Sequence, residues 1–397
     1  MLEHSRDNIK VRNTKRPKKR LWIIFIIILV SVIGLLFWRI FLYESVDEQL
    51  AAIEAARAIP DAENAAILYN QLLKKYDKSI FSSLSIDSND TAIMRPWLSK
   101  DFPELAKCYE ERQDVTANLL QINKYEKCSF PILKFWEDFS TTMNRLSTMR
   151  VMVFYLIRIA NNDIAENRID EGLEKYFCAI RICRHTSQQP FTVFFTHGIT
   201  IESLALTRMR YCILYSDLTE EHLQTIKKAL TQSDAEQTQN WENMIKVENL
   251  YAKQTPLLNR LKTWWQTWRN QRSTFDVAYE IRTRVLADRH GNQILILLRN
   301  YKDKTGHWPQ SLDELQSLAD EEIFIDPQNN CPFIYKTTED DFILYGKGPN
   351  KIDEGGRFHL DGGDDWLIWP TRRKILQQKV KDSKQSNTDN EKMAIRK

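Results

Sequence analysis

The densest run of oxygen ligands in this 397-residue chain lies near its end. A Gly-rich stretch reads Asn350-Lys351-Ile352-Asp353-Glu354-Gly355-Gly356 and continues to Leu360-Asp361-Gly362-Gly363-Asp364-Asp365. Ca²⁺ takes about six to eight hard oxygens, and glycine lets the backbone turn its carbonyls inward beside carboxylates. Asn350, Asp353, Asp361, Asp364 and Asp365 are therefore the candidate metal ligands. The ion would be structural Ca²⁺ rather than a catalyst, and the alternative is an ordinary solvated acidic turn.

Elsewhere the chemistry-bearing residues form no catalytic pattern. There is no HExxH, GxSxG or Walker A phrase. The seven histidines are scattered, and His185 and His197 fall on or beside apolar helical faces, where packing is the commoner role. Six cysteines (Cys108, Cys128, Cys178, Cys183, Cys212, Cys331) show no CxxC spacing for zinc or redox work. Cys108 and Cys128 could close a hairpin by a disulfide, and buried free thiols are the alternative. Carboxylates are abundant, but no pair stands out for acid–base work. The reading is non-enzymatic.

These residues need a scaffold, and composition describes it. With 43% hydrophobic and 27% charged residues, 11 Gly and 12 Pro, the chain is neither fibrous nor wholly disordered. Its length suits about two domains of roughly 150 residues. The net charge of +3 hides an asymmetry: residues 1–20 carry +6, residues 371–397 carry +6, and the rest carries −9. Residues 21–43 read LWIIFIIILVSVIGLLFWRIFLY, with Arg39 the only charge. At 1.5 Å rise per residue this crosses a hydrocarbon layer of roughly 30 Å. Trp22, Trp38 and Tyr43 suit the interfaces. Bulky Phe41-Leu42-Tyr43 gives no small-x-small cleavage site. Basic residues before the span and Glu44, Asp47 and Glu48 after it orient the N-terminus inward. The expectation is a single-pass anchor of a bacterial inner membrane, with 1–20 cytoplasmic and an exported, periplasmic ectodomain. Exported residues meet no chromosomal DNA, so the basic tail 371–397 reads as a solvated end, with anionic lipid or cell-wall polymer as the alternative partner.

Residues 44–272 carry helical periodicity almost throughout. Asp61 is a plausible N-cap for AAILYNQLLKKYD, which places Ile67, Leu68, Leu72 and Leu73 on one face. Asp101 and Pro103 open another helix running towards Lys124. Residues 137–160 and 168–184 predict an antiparallel pair about a polar turn, Asn161-Asn162-Asp163. The 168–184 helix is loosely similar to one helix of a tetratricopeptide-type pair, without a clean 34-residue period. Further helices are predicted at 194–214, 218–230 and 235–253. The stretch PLLNRLKTWWQTWRNQR from Pro256 is basic and Trp-rich, and either packs inward or lies on a membrane surface.

After Arg272 the pattern changes to one long helix, Ser273 to Asn300, stopped by Gly306, and a short helix capped by Ser311 with Glu314. Strand-like runs follow at Ile323–Ile325, Phe333–Tyr335 and Phe342–Tyr345. The whole predicts a mainly α protein: transmembrane helix, α-helical ectodomain, then an α+β module (273–370) of long helix plus small antiparallel sheet.

That last module resembles the C-terminal module of type II secretion major pseudopilins. The resemblance rests on Tyr301-Lys302-Asp303-Lys304-Thr305-Gly306-His307-Trp308-Pro309, on Asp326-Pro327 through Pro332-Phe333-Ile334-Tyr335, and on Phe342-Ile343-Leu344-Tyr345-Gly346-Lys347-Gly348-Pro349-Asn350. It implies a structural Ca²⁺ in the loop that follows. Lys19-Arg20-Leu21-Trp22-Ile23 lacks the Gly and Glu of a prepilin peptidase site, so the anchor is expected to stay attached. The whole chain also resembles membrane-anchored proteins of planctomycete-type bacteria, in which a helical ectodomain (NAAILYNQL and DFPELAKCYEERQD here) precedes such an end. That resemblance supplies organisation and no activity. The functional expectation is a tethered scaffold or interaction protein of the cell envelope, with envelope protein partners and no nucleic acid. The alternative is an envelope enzyme acting on glycan or peptide from a site within the helical domain.

Overall fold

The computed structural model describes residues 27–34, 45–82, 91–132, 139–231, 234–254, 273–337, 341–358 and 362–371. Among them no helix is long and apolar enough to cross a membrane. Of the predicted span only 27–34 are described; they are helical, with Ile27, Ile28, Val30 and Ile33 exposed. The rest of 21–43, the Trp-rich stretch and the tail beyond Thr371 lie outside the described residues.

Ten helices of eight residues or more are used below: α1 Val46–Ala56, α2 Ala65–Lys75, α3 Pro103–Glu110, α4 Gln113–Leu120, α5 Phe139–Ala165, α6 Ile169–Ser187, α7 Thr192–Tyr215, α8 Glu220–Thr231, α9 Asp234–Gln254 and α10 Thr274–Thr305. Strands β1 Ile325–Asp326 and β2 Cys331–Pro332 pair antiparallel, and β3 Ile334–Thr337, β4 Phe342–Gly346 and β5 Trp366–Trp369 form another antiparallel sheet in that order. The mainly helical architecture ending in a small antiparallel sheet matches the sequence pattern.

The end module follows its local signals closely. Ser273 caps α10 through a reciprocal capping box with Asp276, and Gly306, at φ 82°, terminates it. Ser311 and Glu314 form a further capping box, opening a 3₁₀ turn at Leu312–Leu318. Ile323-Phe324 is not strand: Glu321–Phe324 closes a 3₁₀ turn and pairing starts only at Ile325.

In the helical part the polar positions depart from expectation. Asp61 lies in a 3₁₀ turn, and the N-cap of α2 is Asn64, whose side chain accepts from the Ala66 N–H at 3.0 Å. The face of α2 shifts accordingly, burying Ala65, Ala66, Tyr69 and Leu72 while Ile67 is exposed. Asp101 does not cap α3; Phe102 holds that position with Pro103 behind it, and the predicted long helix breaks into α3, α4 and a 3₁₀ turn. Asn161, Asn162 and Asp163 are not a turn. They are the buried end of α5, where Asn161 donates to the Ala92 carbonyl (2.9 Å) and accepts from Tyr176 (2.6 Å). Asp163 pairs with Arg168 (2.7 Å) and Lys175 (2.6 Å). The reversal comes later, at Asn167 with φ 61°. Antiparallel α5 and α6 then approach closely at Gly172, where a Cβ would meet Ile164 at 2.6 Å.

One core runs through both parts of the chain. It joins Tyr69, Tyr155 and Tyr176 to Leu206, Met209 and Ile213 of α7, to Ile294 and Leu298 of α10, and to Leu344 and Trp369 of the sheet. Each fully buried aliphatic side chain here contributes about 1.5–3 kcal/mol. All six cysteines are free thiols, four of them buried, so the Cys108–Cys128 disulfide is absent. Cys178 behaves as a small core residue, donating to the Leu119 carbonyl at 3.3 Å, and burial pushes its thiol up.

Candidate functional site

The acidic loop connects β4 to β5. Its base is set by the Asp326-Pro327 phrase: buried Asn329 donates to Asp326 Oδ2 at 2.9 Å and to the Gly348 carbonyl at 2.8 Å. Gly348 sits at φ 67°, and a Cβ there would collide with the backbone and Oδ1 of Asp364. The two limbs of the loop are thereby pressed together, and Asn350 N–H donates across them to Asp364 Oδ2 at 3.2 Å.

Three carboxylates converge: Glu354, Asp364 and Asp365 each present an oxygen within 4.8 Å of the others. Glu354 is an addition to the candidate ligands. The signal for it is the Asp-Glu pair itself, since Gly355 and Gly356 both take positive φ and bring Glu354 back over the loop. Asp364 and Asp365 join as expected. Asp353 does not: its carboxylate turns to the sheet, accepting from Tyr345 OH (2.6 Å) and the Gly355 N–H (2.9 Å), with Lys336 at 3.8 Å. The Tyr345 hydrogen bond holds it below the usual carboxylate range. Asn350 donates to Glu354 Oε1 at 2.5 Å, and its own oxygen is used by the Ile352 N–H at 2.6 Å, so it supports the cluster rather than ligating through Oδ1. Asp361 lies outside the described residues.

Electrostatically the triad is unbalanced. Asp365 is fully buried, and burial, with Glu354 beside it, pushes its carboxyl up to about 6. Burial also raises Asp364, whereas the Asn350 hydrogen bond lowers Glu354. Asp364 Oδ1 and Asp365 Oδ1 are buried without a hydrogen-bond donor. Such oxygens carry a desolvation cost of about 1–3 kcal/mol each. Hard, anionic and orphaned, they fit a hard divalent cation, with Glu354, Asp364 and Asp365 as its protein carboxylates.

The other concentration of charge lies inside the helical part, where α7 and α10 run side by side in the same sense. Glu202 is fully buried between Arg289 (2.7 Å) and Arg184 (3.8 Å), with Gln237 at 3.4 Å. Arg210 donates to Asp288 (2.5 Å), to Asn292 (2.8 Å) and to the Ile368 carbonyl of β5 (3.0 Å). Asp288 also accepts from Ser203 and, at 3.0 Å, from Trp366 Nε1. No sequence motif singles these residues out. Charges embedded in apolar phrases such as VLADRHGNQILILL are the signal that marks them. His185 packs as expected, its ring between Tyr69 OH (3.0 Å) and the Tyr125 carbonyl (3.1 Å). Burial, then nearby Arg181, lowers it to about 3.

No family model, curated protein or solved structure matches the chain. The functional reading therefore rests on the geometry.

Proposed function

We propose that this chain is a membrane-tethered scaffold or interaction protein of the bacterial envelope, allied to secretion or pilus-like machinery. In this reading 21–43 anchor it, 1–20 face the cytoplasm, and the folded part is exported. Ca²⁺ at Glu354, Asp364 and Asp365 braces the end module as a structural ion. The observation that carries the reading is the consumption of buried charge. Glu202, Arg289, Arg210, Asp288 and Asp163 are each spent on ion pairs that join elements, so these buried charges serve packing rather than acid–base work. The uncharged run from Leu21 to Trp38 and the exposed apolar surface of 27–34 support the anchor.

Photocrosslinking in native membranes tests it. A discrete envelope protein should be captured from the exported face. Turnover of a glycan or peptide by the purified chain, with no captured partner, would overturn the scaffold reading. Protease added to spheroplasts should remove the exported part; complete protection would sink the topology. Mass spectrometry should find residues 1–20 in the mature chain, and a new N-terminus at Leu21 would restore pseudopilin-type processing.

A further inference from the structure

A groove of about 550 Å³ separates α6 from α8. The two helices run in the same sense and are tied at both ends. His222 Nε2 donates to Asp170 Oδ1 at 3.1 Å at one end, and Arg184 donates to the Ala229 carbonyl at 2.5 Å at the other. The volume falls in the range of about 300–1,000 Å³ typical of ligand sites.

Its lining is ordered by charge. Leu173, Phe177 and Ile180 form an apolar floor. Glu174 and Glu221 stand at the end marked by the His222–Asp170 tie, and Arg181 and Lys228 at the end marked by Arg184. The carboxylates of Glu174 and Glu221 and the cations of Arg181 and Lys228 pair with no described residue. Arg181 is half-buried, so part of its hydration is already lost. On the walls, Asn123 and Thr225 offer oxygens to a backbone N–H. Glu174 and Arg181 are seven residues apart on one helix face, about 10 Å at 1.5 Å per residue.

A simple anion would need only the basic end, and an apolar helix would need neither. The pattern asks for a cation and an anion held about 10–14 Å apart by an apolar body with amide groups. An extended chain of three or four residues, at about 3.3–3.6 Å each, has that length. We propose that this groove binds a short unblocked peptide with apolar side chains, its ammonium against Glu174 and Glu221 and its carboxylate against Arg181 and Lys228. The inference is independent of the scaffold reading and of the calcium site.

Calorimetric titration of the full chain in detergent with the unblocked peptide Ala-Leu-Leu-Ala tests it. Saturable binding is expected, weakened tenfold or more by N-acetylation and likewise by C-amidation. Arg181→Ala should weaken the unblocked peptide about tenfold and leave the C-amidated peptide unchanged, while Glu174→Gln should show the reverse selectivity. Lys228→Ala, at an exposed position, repeats the first test should Arg181→Ala unfold the chain. Absence of saturable binding, or equal binding of free and doubly blocked peptides, overturns the proposal. So does a loss on Arg181→Ala that is the same for free and amidated peptide.

Discussion

Two clusters of buried charge meet across Trp366, which follows Asp365 in the chain and donates to Asp288, and they balance differently. Between α7 and α10 every carboxylate has a guanidinium: Glu202 with Arg289 and Arg184, Asp288 with Arg210. In the β4–β5 loop three carboxylates meet and, among the described residues, no Arg or Lys side chain closes the cluster; two buried oxygens lack donors. The first arrangement is complete as it stands, and its value lies in joining elements rather than in net stabilisation, since desolvation offsets much of the Coulomb gain. The other leaves two buried carboxylate oxygens without a donor, which the proposed Ca²⁺ would supply with a partner. Buried charge thus marks architecture in one place and, in the function proposed here, a cation site in the other; the presence or absence of donors separates the two.

The sharpest way to break the comparison is to unbalance the balanced cluster. Glu202→Gln leaves Arg289 buried opposite a neutral group and should cost about 3–5 kcal/mol, read by denaturant unfolding of the full chain. If Glu202→Gln unfolds like the unmodified protein, the network is not a strut.

Calcium addresses the other cluster. With free ion 100-fold above Kd, an ion bound only by the folded state adds about 2.7 kcal/mol. Melting of the full chain should therefore rise in calcium and fall in chelator, and Asp365→Asn should abolish the difference. Asp353→Asn should leave the calcium response in place, because that carboxylate faces Tyr345. Identical melting in calcium and chelator would leave the loop a solvated turn.

A buried group with no charge of its own gives a third test. His185, lowered to about 3 in the fold, binds a proton more readily when unfolded, where its value is about 6.5. Its contribution is complete above pH 6.5 and is lost as pH falls from there towards 3, by up to about 1.4 kcal/mol per unit. His185→Gln should flatten that part of the stability profile. An unchanged slope would assign acid lability elsewhere.

The smallest effect belongs to exposed charge. Lys304 lies 3.7 Å from Glu220 with both side chains in solvent, so Lys304→Ala should change unfolding by no more than about 0.5 kcal/mol. A larger loss would mean that surface pairing contributes as the buried network does.

How much of this is legible in the sequence depends on whether the signal is local. Ser273, Gly306 and Ser311 act within a turn of chain, so their caps and stops are readable from spacing alone. Asn161, Asn162 and Asp163 resemble a loop in sequence because their partners, Ala92, Tyr176 and Lys175, are supplied by tertiary packing. β5 escapes a sequence reading for the same reason: WLIW shows no alternation, being buried on both sides between β4 and α10. Within the loop, carboxylate density marks the site, but only the folded turn decides that Asp353 leaves it and Glu354 enters.

Arg210 also has a bearing on the order of synthesis. Its guanidinium waits for Asp288, 78 residues later, and for the Ile368 carbonyl, 158 residues later. At roughly 5–20 residues per second, the helix carrying it is made some 8–30 s before its last acceptor. Helices α5 to α7 can assemble in that interval, yet the cation at their edge closes only when β5 arrives. Completion of the C-terminal strand is the step that seals the helical body, and a chain released before Trp366 would present an unfinished polar seam to quality control.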